Sequence, residues 1–560
     1  MRESGGGEGE SQSALGLRAL PWLAFALGAA PLVAGGFPAG HDWLYELVRV
    51  GEYGAAVRAG QLPPYWSENL YGGYGSPVFL FYAPLFSAAA ALLSELAGSV
   101  TRGVTALLVI ASGVSVYTVR RFLADLLATQ GTPDSAAARV GTVFFLLHPY
   151  VLGDKLVRNA DAEFLALCLA PIALRGAVLA HERPRRAFAL ISGGLAAVVL
   201  AHNLTALVAV AFVLGAGLAL HGPRQRRVWA VILSGVAAAL ALSAFFWLPA
   251  LALTGLIRPE ELLRGKLDFH GQFPPLQDIF GYRRFFATGL ATPLALLVAA
   301  VAALRFPRQR RILVSLLLAA SVLLFLQTRA SVPVWELVPG LPFFQFPWRM
   351  LGPLAWIAGA LAALVFALWL AAAPARRRMA AELALFALLV LNALPILLQY
   401  APLPSQLERF APALVHPDVI RQGDETVTLG DEYLPRSADT VVWRVQRPLE
   451  GPVVSASGLV RWRTLVDGGT RIELETSSPT PGRLRLARFA WPDWRLEIDG
   501  RPSSFITGHL GTLDFEVPAG VARVRVWLEP PPLRRAGLWL SLASLAAWLI
   551  GLSVGYVRSR

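Results

Sequence analysis

A chain of 560 residues that is 55% hydrophobic and 16% charged, with a mean hydropathy of +0.53, is excluded from the soluble enzymes. Its net charge of +13 sits in short arginine knots between apolar runs, which excludes nucleic acid as the partner and leaves membrane orientation as the reason. The single cysteine, Cys168, excludes internal disulfides and thiolate metal clusters.

In chain order, residues 1–17 read as a polar, Gly/Ser-rich cytoplasmic tail. No small-residue cleavage site clearly follows the first apolar run, which is therefore expected as an uncleaved anchor. Twelve spans are expected, at 18–36, 101–119, 139–152, 163–180, 187–201, 204–220, 228–252, 288–304, 312–327, 350–373, 379–400 and 536–556. Arginine knots at Arg120/Arg121, 181–186, 221–227, 305–311, 375–378 and 557–560 fall between alternate pairs of these spans. All six face the cytoplasm if both termini do, as the positive-inside rule requires. Residues 77–97 are long enough to span, but a crossing there would turn the later knots outward together. They are expected instead as a hairpin or interfacial helix, broken by Pro77 and Pro84.

This parity leaves four outer loops in the membrane module of residues 18–400: 37–100, 153–162, 253–287 and 328–349. Residues 401–535 change from apolar runs to alternation, as in RLRLARF (483–489) and VRVWLE (524–529), with Asp-Gly turn signals at VDGGT (466–470) and IDGRP (498–502). The fold class expected is mainly α: a polytopic membrane helical bundle of about 12 spans with an extracytoplasmic β-sandwich-like domain near the carboxyl terminus. Residues 536–560 supply the last helix and a cytoplasmic tail.

Most spans carry no ionisable residue at mid-depth, which argues against an ion-coupled transporter. Arg175 is the exception, placed where it can snorkel to the cytoplasmic surface. The ionisable residues gather beyond the outer ends. In HDWLYELVRVGEY (41–53), Asp42, Glu46, Arg49 and Tyr53 share one helix face, and Asp42 adjoins the span where partial desolvation suits a general base; an ordinary solvated helix start with a Glu46–Arg49 pair is the alternative. LPPYWSENLYGGYGSPVFLFY (62–82) brings Tyr65, Trp66, Tyr71, Tyr74 and Tyr82, either an interfacial belt or flat platforms for sugar rings. In GDKLVRNADAE (153–163), Lys155 and Arg158 can hold a phosphate, and Asp161 or Glu163 a metal or an acceptor hydroxyl. His202, Asp268 and His270 are further candidates, and Arg349 in FQFPWRM needs an anionic partner or a lipid phosphate. There is no P-loop, dinucleotide fingerprint or HExxH.

The order of a first span, an outer loop with an acidic motif, interfacial helices, many spans and an outer carboxy-terminal domain resembles the GT-C superfamily of membrane glycosyltransferases. HDWLYELVRVGEY, LPPYW, GYGSPVFLFYAPL, VRNADAEFLALCLAP, AHNLTAL, FFWLPAL and FQFPWRM are similar to a bacterial group labelled 6-pyruvoyl-tetrahydropterin synthase-related membrane proteins, although no histidine zinc triad for pterin chemistry is recognisable. WPDWRLEIDGRP is similar to the outer domain of membrane proteins that glycosylate lipoteichoic acid. The resemblance implies a glycosyltransferase of the cell membrane that moves a sugar from a polyprenyl-phosphate donor to an extracytoplasmic glycan, lipid or protein. It implies Asp42 as catalytic base with Glu163 and Asp161 as the second acidic position, and Arg158 as its basic neighbour. With Lys155 and Arg349, Arg158 would hold the donor phosphate, while His41, Glu46, Tyr65, Trp66, Tyr74, His202 and His270 would face sugar or acceptor. The resemblance makes a divalent cation the one candidate cofactor, but His41-Asp42 stands where many relatives carry two adjacent acids, a departure that weakens the case for metal dependence. The alternative is a non-catalytic membrane protein that binds or moves a lipid-linked glycan.

Overall fold

The computed structural model describes residues 17–281, 286–405, 407, 431–442, 451–508 and 510–557. The tail 1–16, the end of the last knot at 558–560, residues 282–285 of the 253–287 loop and parts of 401–535 lie outside the described residues.

The helices used below are α1 (Leu20–Gly35), α2 (Trp43–Arg58), α3 (Pro84–Ala97), α4 (Val100–Thr129), α5 (Ser135–Leu146), α6 (Asp161–Leu179), α7 (Pro184–Ala201), α8 (Asn203–His221), α9 (Arg226–Leu242), α10 (Ala244–Leu253), α11 (Ala291–Arg305), α12 (Arg310–Phe325), α13 (Leu351–Leu370), α14 (Ala375–Leu397) and α15 (Pro532–Val557). Their ends follow local rules. Asp134 caps α5 by accepting from the Ala136 and Ala137 amides at 2.9 and 3.2 Å, and Pro184 opens α7 where no amide partner is needed. Gly98 closes α3 in the left-handed region at φ 64°.

Among the described residues, seven helices are long and apolar enough to cross a membrane, and three bent pairs bring the number to ten. The other two expected spans, 18–36 and 288–304, correspond to α1 and α11, of 16 and 15 residues. Helices of that length reach roughly 22–24 Å, short of the ~30 Å hydrocarbon core. The 77–97 segment forms a short helix, Val78–Phe81, and then the 14-residue α3, broken at Pro84; α3 reaches ~21 Å.

Two expectations need correction. The helix expected at 101–119 runs on to Thr129, so Arg120 and Arg121 lie on its body rather than in a loop. Continuous helix-forming residues (RRFLADLLAT) carry it past the membrane edge. Arg175 does not snorkel: it is buried and its Nε donates to Asp125 of α4 at 2.5 Å.

The β-rich domain has strands β1 (Val453–Ser457), β2 (Arg461–Gly468), β3 (Arg471–Ser478), β4 (Gly482–Phe489), β5 (Trp494–Ile498), β6 (Arg501–Ser503), β7 (Ile506–Thr507), β8 (Thr512–Val517) and β9 (Gly520–Leu528). They form a sandwich of two antiparallel sheets, one ordered β1-β4-β8-β7 and the other β2-β3-β9-β5-β6. Alternation explains the layering: Ile472, Leu474, Val524 and Val526 are buried while Arg471, Arg523 and Val521 stay exposed. The IDGRP signal is a two-residue hairpin turn with Asp499 at φ 50° and Gly500 at φ 76°, both in the region a type I′ turn requires.

The sandwich rests on the 61–76 loop. Phe489 donates its amide to Tyr74 O at 3.0 Å, Arg488 Nη1 donates to Gly73 O at 2.8 Å, and Tyr65 OH donates to Leu528 O at 3.1 Å.

Candidate active site

The site starts from a backbone irregularity. After α5 the chain bends through Pro149–Gly153 into a π turn, Asp154–Arg158, which ends at Asn159 in the left-handed region, φ 60°. Asn159 Oδ1 accepts the Gly40 amide at 2.7 Å, and the amides of His41 and Asp42 donate to Val157 O and Arg158 O at 3.2 and 3.0 Å. Three hydrogen bonds thus stitch the start of the 37–100 loop to the 153–162 turn and set Asp42 beside Arg158. Asp42 stands at the N-cap of α2, yet its side chain makes no capping hydrogen bond.

Glu163, in the first turn of α6, is the hub. It accepts from Tyr150 OH at 2.7 Å and Arg158 Nη1 at 2.9 Å, and Arg349 Nε lies 3.4 Å away. Arg158 also donates to Asp154 at 2.8 Å. Its guanidinium lies 4.7 Å from the Trp348 ring, and that of Arg349 lies 5.1 Å from Phe346. Gln345 holds φ 61° and ψ −47°, and the Phe346 amide closes back onto Phe344 O, the geometry of a strained γ-turn. This turn sends Gln345, Phe346 and Arg349 into one cleft.

The opposite wall is α2. Glu46 and Arg49 are both buried and paired at 2.8 Å, with Arg49 3.7 Å over the Tyr82 ring. Burial pushes the Glu46 carboxyl up against the opposing pull of Arg49, and it also raises the Tyr82 phenol. His202, in the turn between α7 and α8, accepts the Thr205 amide at Nδ1 (3.3 Å), and burial pushes its imidazole down to about 4. It is therefore neutral at pH 7.

The roof comes from Leu262 and Leu267 of the 253–287 loop and from Glu432, on the segment leading into the β-rich domain. The Arg258 amide donates to Glu432 O at 3.1 Å, and Arg436 grips Glu260 through two hydrogen bonds of 2.7 and 2.9 Å. The enclosed cleft has a volume of ≈ 130 Å³. It presents Asp42, Glu46, Glu163 and Glu432 alongside Arg49, Arg158 and Arg349, so it can bind an anion and accept a proton.

No family model matches this chain. No curated protein matches it either. Among solved structures it is similar to the arabinofuranosyltransferase AftD from Mycobacteria, at 20% identity and a TM-score of 0.43 over 73% of this chain and 27% of that one. It is also similar to the Archaeoglobus fulgidus oligosaccharyltransferase tethered with an acceptor peptide, at 12% identity and a TM-score of 0.44 over 75% of this chain and 60% of that one. A third is the archaeal oligosaccharyltransferase AglB with an inhibitory peptide and a dolichol-phosphate, at 14% identity and a TM-score of 0.38 over 73% and 60%. The chain thus spans 27% and 60% of the lengths of the first two of these proteins.

Of the residues singled out in the sequence, Asp42, Glu46, Arg49, Tyr82, Arg158, Glu163, His202 and Arg349 line the one cleft. Asp161 is buried at the same helix start, and neither of its oxygens takes a hydrogen bond within the described residues. Lys155 is not brought to the cleft. The π turn directs it to α4, where Nζ donates to Ser112 Oγ at 2.9 Å, 5.2 Å from the Phe164 ring. His41 is exposed beside the cleft rather than lining it. Tyr65, Trp66 and Tyr74 are buried against the β-rich domain: Trp66 packs edge-on to Trp494, and Tyr74 lies 5.1 Å from Phe489. They serve the domain interface and offer no open platform for a sugar. His270 lies outside the cleft, bonded to Asp268 at 2.7 Å and Glu336 at 3.1 Å.

Tyr45, Gln345 and Glu432 line the cleft without having been singled out. Glu432 enters from a part of the chain with no local motif, and only the tertiary fold reveals it. Gln345 carried a weak signal, as the polar residue among the aromatics of FQFPWRM. For a divalent cation the donor set fits poorly: among the described residues no three His, Cys, Asp or Glu side chains converge as ligands. Glu163 is already held by two hydrogen-bond donors, Tyr150 and Arg158, with Arg349 ion-paired beside them.

Proposed function

We propose that this membrane protein is a glycosyltransferase that takes its sugar from a lipid-phosphate donor at the cleft between α2, the start of α6 and the 345–349 segment that precedes α13. The observation that carries the reading is the pairing of Arg158 and Arg349 across Glu163, opposite Asp42, in one cleft beside the ends of apolar helices. Arg158 is committed to both Asp154 and Glu163, whereas Arg349 only shares Glu163 at 3.4 Å and its Nε takes no hydrogen bond among the described residues, so Arg349 is the cation best placed for the phosphate of a donor. A second, mainly apolar cavity of ≈ 250 Å³, with Ser315 as its polar side chain, supports a hydrocarbon-tailed donor. It lies among α4, α6, α8, α12 and α13, and is lined by Phe122, Leu174, Phe212, Leu316 and Trp356. Trp356 is on the second turn of α13, whose first residue, Leu351, follows Arg349 by two positions.

In the proposed step, Asp42 takes the proton of an acceptor hydroxyl while that oxygen bonds to the anomeric carbon of the donor. The bond from that carbon to the phosphate oxygen breaks, and its electron pair leaves on the lipid phosphate beside Arg349 and Arg158. Glu163 acts as a positioning residue, fixing both guanidiniums. Glu432 and neutral His202 flank the space left for sugar and acceptor hydroxyls. No step is routed through a metal ion.

The test is transfer from a synthetic prenyl-phosphate sugar by purified full-length protein and by Asp42→Asn. The reading expects loss of transfer in the variant with donor binding and folding retained. A fully active Asp42→Asn sinks the assignment of the base, whereas binding without turnover in both proteins favours a non-catalytic lipid-glycan binder.

A further inference from the structure

At the other end of α4 lies a second amphipathic site, independent of the cleft. A cavity of ≈ 250 Å³ opens between α1, α4 and the start of α5. Trp22, Tyr117, Ala124 and Ser135 form its walls, and Arg120 and Arg121 stand at it side by side. Trp22 and Tyr117 are 51% and 57% exposed, so the wall is open to its surroundings and presents the aromatic pair typical of a membrane–water interface.

The charge accounting around this cavity is uneven. Asp125, one turn beyond Arg121 on α4, is committed to Arg175 at 2.5 Å. Asp134 is committed twice, capping α5 and pairing with Arg378. Among the described residues, no ion pair therefore compensates either Arg120 or Arg121. Arg121 instead lies 5.3 Å over the Tyr117 ring, which orients its guanidinium at the cavity wall. Two adjacent cations at the edge of an apolar, aromatic-walled pocket call for a ligand that is anionic at one end and hydrocarbon at the other.

We propose that this cavity binds one anionic phospholipid, its phosphate held by Arg120 and Arg121 and an acyl chain laid against Trp22 and Ala124. A free phosphate would satisfy the charges but leave the apolar wall unused, and a zwitterionic lipid would bring a cation of its own to the arginine pair. The hydroxyl of Ser135 adds a donor at the same level. The site sits on the arginine-marked face, away from the proposed catalytic cleft, and does not depend on that reading.

The experiment is native mass spectrometry of the full-length protein, delipidated in detergent and then titrated with phosphatidylglycerol, phosphatidylcholine or inorganic phosphate. One phosphatidylglycerol should be retained per chain. Its apparent Kd should weaken about tenfold in Arg120→Gln/Arg121→Gln, the change expected from losing two charge-assisted contacts. Ala124→Leu, which fills the cavity and keeps both arginines, should lower retention as well, so the proposal does not rest on the folding of the double variant. Equal retention of phosphatidylcholine, displacement of the lipid by millimolar phosphate, or undiminished binding in both variants would each overturn it.

Discussion

Glu163→Gln is the most informative single change, because one carboxylate holds two guanidiniums and a phenol. The variant keeps the shape of the side chain and can still accept from Tyr150, which now stands 2.7 Å from Oε1. What it loses is the charge that faces Arg158 Nη1 at 2.9 Å and Arg349 Nε at 3.4 Å. Breaking a buried pair by removing one partner costs about 3–5 kcal/mol, mainly through the charge left uncompensated. Arg158 retains Asp154 at 2.8 Å, so the loss falls mostly on Arg349 and the lower end applies. About 3 kcal/mol is roughly a hundredfold in the folded-to-unfolded ratio. The assay is denaturant unfolding of the detergent-purified protein, followed by tryptophan fluorescence, with Trp348 lying over Arg158 as a local reporter. Adding Arg349→Gln to Glu163→Gln should recover part of the stability, since it removes the orphaned charge. If Glu163→Gln unfolds within about 0.5 kcal/mol of wild type, the spread of ordinary surface changes, Glu163 is no hub and its role as a positioning residue fails.

Four further outcomes are expected. Glu382→Gln should destabilise by about 3 kcal/mol, because Arg139 and Glu382 form a buried two-fold hydrogen-bonded pair at 2.6 and 2.8 Å between α5 and α14; a neutral result in the same unfolding assay would contradict this. Arg488→Ala removes the bonds to Gly73 O and Asp467, at 2.8 and 3.0 Å. It should cost about 2–3 kcal/mol and make the 61–76 loop more open to protease. Asp161→Asn, at a buried carboxyl that takes no hydrogen bond, should fold at least as well as wild type, read by its melting temperature. The hydrogen bonds from Asp268 and Glu336 raise the pKa of His270 above its usual value. The tie between the 253–287 loop and Val332–Leu337 is thus fully present at low pH and is lost as pH rises through that raised value. Protection from hydrogen exchange in 265–272, relative to the intrinsic rate at each pH, should accordingly fall between pH 6 and 9, and His270→Gln should abolish that fall.

The polar residues that adjoin long apolar runs were the legible part of the site. Asp42, Arg158, Glu163 and Arg349 stand out because a charge at a span end needs a partner, and the fold brings the four to one cleft. Lys155 obeyed the same rule and went elsewhere, since a π turn, invisible in the sequence, aims it at Ser112 rather than beside Arg158. The aromatic loop was misread for a related reason. Tyr65, Trp66 and Tyr74 suit either a sugar or a neighbouring domain, and only the position of the sandwich shows them covered. Glu432 carried no local signal, because its importance comes from a contact made across the fold, through Arg258. The sandwich was legible from strand alternation and the Asp-Gly turns, whereas short and bent helices blur the count of spans.

The central claim is that a lipid-phosphate sugar is cleaved in this cleft. It is tested most directly by incubating the purified protein with a prenyl-phosphate sugar and an acceptor, and quantifying the prenyl phosphate released in a single turnover. The account predicts release matched by glycosylated acceptor in wild type and neither in Asp42→Asn. Donor that binds and is recovered intact from the wild-type protein with every acceptor class would contradict it.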